Sequence, residues 1–132
     1  MRIESRNINS IIEIIKKGEL EMRNSISNTS NFTRRDAVNS RNGIALQDVD
    51  NAYTFNVISA AQIETVDEET GERKEVSVLK SEDNQYYTSI SATVYDVMDD
   101  LIDIINDEGS CKVRVDKRKS KQGRDFIMLS LF

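Results

Sequence analysis

The sequence predicts a mainly β domain: a five-stranded, partly open barrel with one α-helix between strands 3 and 4, plus a short N-terminal helix. Three observations predict it. Apolar residues alternate with period two in short runs from residue 53 onward. One segment, ATVYDVMDDLIDIINDEG, carries a long apolar face at helical spacing. The five glycines and the polar clusters around them separate these runs as turns.

In chain order, residues 1–30 are Asn/Ser-rich around one apolar patch. Within INSIIEIIKKG, Ile8, Ile11, Ile12 and Ile15 share a helical face and Gly18 closes it. So short a helix is marginal alone, so it packs on its own domain or serves as a self-association element. Residues 31–132 form the expected domain. NFTRRDAV reads as a first strand, with Arg34, Arg35 and nearby Arg41 as a basic cluster. YTFNVISAAQIETV, 53–66, is a long strand rich in β-branched and aromatic residues, with Tyr53 and Phe55 on one face. The turn DEETGE leads to EVSVLK, where Val76 and Val78 share a face. SEDN then turns the chain into QYYTSIS. With Ile90 taken as inward ahead of the helix, alternation there points Tyr86 and Thr88 in and Tyr87 out.

In the helix, Val94, Val97, Met98, Leu101, Ile102, Ile104 and Ile105 make the apolar face. Thr93 and Asp96 read as its N-cap and box partner, and Gly109 as its stop. CKVRV, a basic turn and DFIMLSLF complete a two-strand hairpin. Apart from NFTRRDAV, the order is three strands, a helix and two strands. That pattern supports a small α+β domain or a partly open barrel, and it is the arrangement of an OB-fold.

Composition narrows the chemistry. At 132 residues, with 38% hydrophobic and 31% charged side chains, the chain suits a soluble globular domain. It lacks histidine, which excludes His-based acid–base and nucleophile systems and nearly every zinc site. Cys111 is the lone cysteine and forms no intrachain disulfide. No apolar run approaches the ~20 residues of a membrane span. The start MRIESRNINS lacks the layout of a secretory signal, so a cytoplasmic location and no membrane partner are expected.

The formal net charge is −5, yet six of the eighteen Lys and Arg residues lie between Arg114 and Arg124. Alternation in CKVRV sends Cys111, Val113 and Val115 inward and Lys112 and Arg114 outward. On the partner strand Ile127, Leu129 and Leu131 share one face, Phe126 and Met128 the other. The outer face then holds Lys112, Arg114, Phe126 and Met128, and the turn adds Lys117, Arg118, Lys119, Lys121 and Arg124. Cations beside exposed rings suit single-stranded nucleic acid, whose phosphates meet the charge and whose bases stack. The structural alternative is a solvated sheet edge whose lysines prevent strand pairing. On the helix, Asp96, Asp100, Asp103 and Asp107 form an acidic stripe. Such a stripe is ordinarily a solvated face, and no phosphate loop accompanies it to suggest a Mg²⁺ nuclease.

The C-terminal part resembles the single-stranded-DNA-binding proteins of small, protein-primed tailed bacteriophages. The resemblance rests on YTSIS with Thr93-Val94, DLIDI, KVRV, and Gly123 followed by FIMLSL, aligned without gaps from about Gln85 to Leu131. It weakens across 49–80 and does not extend before residue 30. It implies an OB-like protein that coats displaced single strands during phage genome replication, with no cofactor and no catalysis. Members of that family stack bases on exposed tyrosines, and Tyr87 falls on one such position. Where a further aromatic is expected near the end of the 53–66 strand, this chain has Ile63. The tip DKRKSKQG is more basic than the family's, and some relatives carry an N-terminal extension linked to self-association. The combined expectation is binding of single-stranded DNA with little sequence preference. Arg34, Arg35, Lys112, Arg114, Lys117, Arg118, Lys119, Lys121 and Arg124 are expected on phosphates, Tyr87 and Phe126 on bases. The competing expectation is a protein-interaction module, or a DNA-mimic inhibitor acting through the acidic helix face.

Overall fold

The computed structural model describes residues 25–66 and 69–132; the short N-terminal helix read over INSIIEIIKKG lies outside the described residues. The elements are β1 (Ser25–Asn28), α1 (Arg34–Asn39), β2 (Ile44–Ala45), β3 (Tyr53–Val66), β4 (Arg73–Ser81), β5 (Tyr86–Ser89), α2 (Ala92–Glu108), β6 (Cys111–Lys119) and β7 (Asp125–Leu131). Two 3₁₀ turns, Ser40–Asn42 and Leu46–Asp48, flank β2.

One sheet runs β2-β5-β4-β3-β6-β7, and β1 adds to β3. β3 is long enough that one edge holds β6 along Tyr53–Val57 and β1 along Ala61–Ile63. A register shift between Val57 and Ser59 in its pairing with β4 bends it there. The sheet curls into an open half-barrel whose β2–β5 and β7 edges do not pair with each other. Setting aside the short β1 and β2, the five strands β3–β7 with α2 between the third and fourth of them, β5 and β6, make it the expected OB-like fold.

α2 fills the barrel because its apolar face matches the concave side of the sheet. Val94, Met98, Leu101, Ile102 and Ile105 are buried against Leu79, Val113, Val115 and Leu129, with Leu46 of the second 3₁₀ turn sealed among them. Asp96, Asp100, Asp103 and Asp107 are exposed. Gly109 adopts φ 89° and its N–H bonds the Ile105 carbonyl at 2.7 Å, ending the helix. The other face of β3 and β4 is covered as well: Ala61, Ile63 and Val78 pack with Phe32 and Ala37. The β3–β4 centre is therefore buried on both sides.

The sequence reading contains neither β1, which lies within residues 1–30, nor the two-residue β2, and two further elements differ from it. NFTRRDAV is not a strand: Arg34–Asn39 is helical. Thr33 Oγ1 accepts from the Asp36 N–H at 3.2 Å, and Asp36 Oδ2 accepts from the Thr33 N–H at 2.8 Å. This reciprocal cap supplies the backbone partners a helical start leaves open, and it outweighs the weak alternation. At α2 the N-cap is Ser91, not Thr93. The Thr93 hydroxyl instead pairs with Ser91 Oγ at 2.7 Å and donates to the Ile127 carbonyl, fastening the start of α2 to β7.

Candidate nucleic-acid interface

The β6–β7 hairpin is phased by its core residues. Val113 and Val115 are fully buried and pair with Leu131 and Leu129, so Lys112, Arg114 and Arg118 point to the opposite face with Phe126, Met128 and Phe132. The tip is a tight turn: Ser120 N–H bonds the Arg124 carbonyl at 2.8 Å and Gly123 N–H bonds the Ser120 carbonyl at 2.9 Å. Gly123 has φ 80°, a conformation that favours glycine. Lys117, Arg118, Lys119, Lys121 and Arg124 are all exposed. Lys119 is paired with Asp125 at 2.9 Å and Arg114 with Asp116 at 3.1 Å. Among the described residues, Lys117, Arg118, Lys121 and Arg124 have no carboxylate partner. Most of the tip's charge is therefore uncompensated among the described residues.

A cleft of about 750 Å³ opens beside this hairpin. Lys117, Arg118, Lys119 and Phe126 of the hairpin line it together with Gln47 of the second 3₁₀ turn, Val76 of β4 and Thr88 of β5. Thr88 pairs directly with Val78, which alternates with Val76, so these residues share the face on which Phe32 and Ala37 pack. Arg34 and Arg35 are exposed on α1, which covers that same face. Neither Arg34 nor Arg35 lines the cleft itself. Lys112 and Arg114 do not line the cleft; they lie on the outer face of β6. Lys121 and Arg124 sit at the tip.

The expected exposure of Tyr87 is corrected by the structure: the side chain is only 4% exposed. Its ring stacks on Phe55 at 4.3 Å, and its hydroxyl lies 3.1 Å from that of Tyr53. Burial first, then the Tyr53 hydrogen bond, pushes its phenol pKa up. The misreading came from phasing the strand on Ile90. β5 ends at Ser89 and Ile90 is 70% exposed, whereas Tyr87 pairs with the core residue Leu79. Tyr53, at the start of β3, is the exposed member of this aromatic group, and Phe55 is half-buried.

Tyr86 occupies the opposite face. Its hydroxyl donates to Asp36 Oδ1 at 2.6 Å, beside Lys80 Nζ at 3.0 Å from the same oxygen. This joins the α1 cap to β4 and β5.

Sequence reasoning missed Gln47, Val76 and Thr88, which become neighbours of the hairpin only when the sheet curls. It also missed Phe132. Continuing the alternation Phe126–Met128 to the end of β7 would have found it.

Among the described residues no group of three His, Cys, Asp or Glu side chains is placed to hold a metal ion, and no helix is long and apolar enough to cross a membrane. No curated protein and no solved structure matches the chain. A family model described as phage single-stranded DNA-binding protein matches residues 33–132, from the α1 cap to the end of the hairpin. This span takes in both basic elements and every strand from β2 to β7, and the chain belongs to the phage single-stranded DNA-binding protein family.

Proposed function

We propose that this protein binds single-stranded DNA with little base preference, holding it in the cleft between the basic hairpin and the β4–β5 face during phage genome replication. The observation that carries the reading is the cleft itself, with Lys117, Arg118 and Lys119 along one wall and Phe126 among them. Lysines and arginines on flexible stems neutralise phosphates without reading sequence, and a ring accepts any base. Arg34 and Arg35 continue the charge beyond the cleft, and Lys121 and Arg124 extend it at the tip. Tyr87 supports Tyr53 and Phe55 from the core instead of meeting a base directly. No cofactor is needed for binding of this kind. The net charge of −5 does not oppose it, because the local potential governs docking.

The test is a titration with oligo-dT at several salt concentrations, comparing wild type with Lys117, Arg118, Lys119 and Lys121 all replaced by Ala. Each phosphate contact on a single strand contributes about −0.7 to the slope of log K against log salt. The variant should bind every sequence more weakly and flatten that slope by about 2–3 units if all four residues touch DNA. An unchanged affinity and slope would remove the hairpin from the interface. No response to any nucleic acid would favour a protein-interaction module acting through the acidic face of α2.

A further inference from the structure

The hairpin presents a second surface, on its outer face. Along β7 and the residue after it that face carries Phe126, Met128, Ser130 and Phe132; along β6 it carries Arg118, Asp116, Arg114 and Lys112, each pair in direct register except Phe132, whose N–H bonds the Lys112 carbonyl at 2.8 Å. Phe132 is 65% exposed and Met128 40%, so the apolar row is uncovered. The Arg114 guanidinium lies 5.1 Å from the Phe132 ring centroid while its Nε bonds Asp116 at 3.1 Å. The cation and the ring are thus held together in one orientation. Phe126 belongs both to this row and to the lining of the cleft. Six residues of strand separate it from Phe132, a distance of about 20 Å.

We infer that the outer face of β6–β7 is a second subsite for the same strand, with Phe132 and Arg114 as its stacking platform and Lys112 as a phosphate contact. It rests on the proposed DNA-binding reading. Its occupant is single-stranded nucleic acid because the uncovered apolar row alternates with Lys112, Arg114 and Arg118, a pattern that matches bases and phosphates. A strand leaving the cleft passes Phe126 and continues over Met128 to Phe132. Only an oligonucleotide long enough to fill the cleft reaches the platform.

The experiment compares dT oligonucleotides of about 6 and about 24 nucleotides, one within and one beyond the roughly 4–16 nucleotides that a single OB-fold occupies. It uses wild type, Phe132→Ala, Phe132→Leu, Phe132→Tyr and the cleft quadruple variant, with sedimentation of each protein alone. Phe132→Ala and Phe132→Leu should weaken binding of the long oligonucleotide about tenfold and leave the short one within about twofold, as expected for loss of one stacked base. Phe132→Tyr should restore long-oligonucleotide affinity. Equal affinity of Phe132→Ala for the long oligonucleotide overturns the inference, as does equal weakening for both lengths. So does a change in sedimenting mass without a change in DNA binding, which would make a second copy of the chain the occupant. The quadruple variant must weaken both lengths; if it weakens neither, the cleft reading fails independently of the platform.

Discussion

At Asp36 three donors converge on one carboxylate: the Tyr86 hydroxyl, the Thr33 N–H and the Lys80 ammonium. Burial alone would raise its pKa, but these bonds outweigh burial and hold it below the ordinary value of 3.8. A carboxyl depressed in the folded state stabilises the fold above its unfolded pKa and loses that contribution as pH falls through the folded value. Asp36→Asn should therefore cost about 2 kcal/mol at neutral pH, and the gap from wild type should close in strong acid. Urea midpoints at both pH values would measure it; a pH-independent gap would mean the carboxylate charge is not what matters. Tyr87 makes a different case. Because its ring is packed in the barrel, Tyr87→Ala should cost about 3–5 kcal/mol, while Tyr87→Phe loses only the Tyr53 hydrogen bond, about 1 kcal/mol. Thermal or urea unfolding of the pair tests this, and an unaltered stability in the Ala variant would contradict the burial. The lone thiol, Cys111, is also buried, and burial pushes its pKa up, so it acts as core rather than as a nucleophile.

Among the elements, β2 has only two residues, yet it positions one wall of the cleft. It pairs in parallel with β5 through Ile44↔Tyr87 and Ala45↔Thr88. The close approach depends on Gly43: a Cβ there would lie 3.0 Å from the Ser40 carbonyl oxygen and 3.1 Å from that of Tyr86. Both are backbone atoms, one in the preceding 3₁₀ turn and one in β5, so relief requires a small backbone shift where β2 meets β5. Gly43→Ala should cost about 1–3 kcal/mol and, because Ala45 and Gln47 line the cleft, should weaken oligo-dT binding in the same preparation. Melting and titration together check it; loss of stability with full affinity would detach β2 from the site. The hairpin was legible in the sequence because its two strands alternate cleanly around a Gly-bearing turn. α1 was not, since a helix of six residues shows too few turns for a period and is specified by its cap.

For the whole molecule, the N-terminal pattern bears on assembly. Ser25–Asn28 adds a strand to β3, and the buried Thr29 hydroxyl lies 3.0 Å from Ser59 Oγ and accepts from the Ala60 N–H at 3.1 Å. A truncation that respects the sheet therefore ends before Ser25. We propose that the Ile8, Ile11, Ile12 and Ile15 stripe drives self-association. Deleting residues 1–24 should leave the melting temperature nearly unchanged and lower the hydrodynamic mass. Sedimentation and thermal unfolding of the truncated chain separate the two roles, and a large fall in melting temperature would assign the segment to the fold.

The sequence by itself determined the five strands β3–β7, because alternation records which side of a strand meets apolar neighbours. It also determined α2, whose apolar face and terminal glycine are local properties, and the basic hairpin, whose charge is contiguous in the chain. Tertiary structure decided what these faces look toward. Tyr87 turned inward because its neighbour across the strands is Leu79, a contact that no local pattern near Ile90 contains. The cleft exists because the sheet curls without closing, bringing Gln47, Val76 and Thr88 to Lys117–Lys119 from distant parts of the chain. Charge and periodicity are written locally; a concave site is made by curvature, which depends on every strand at once.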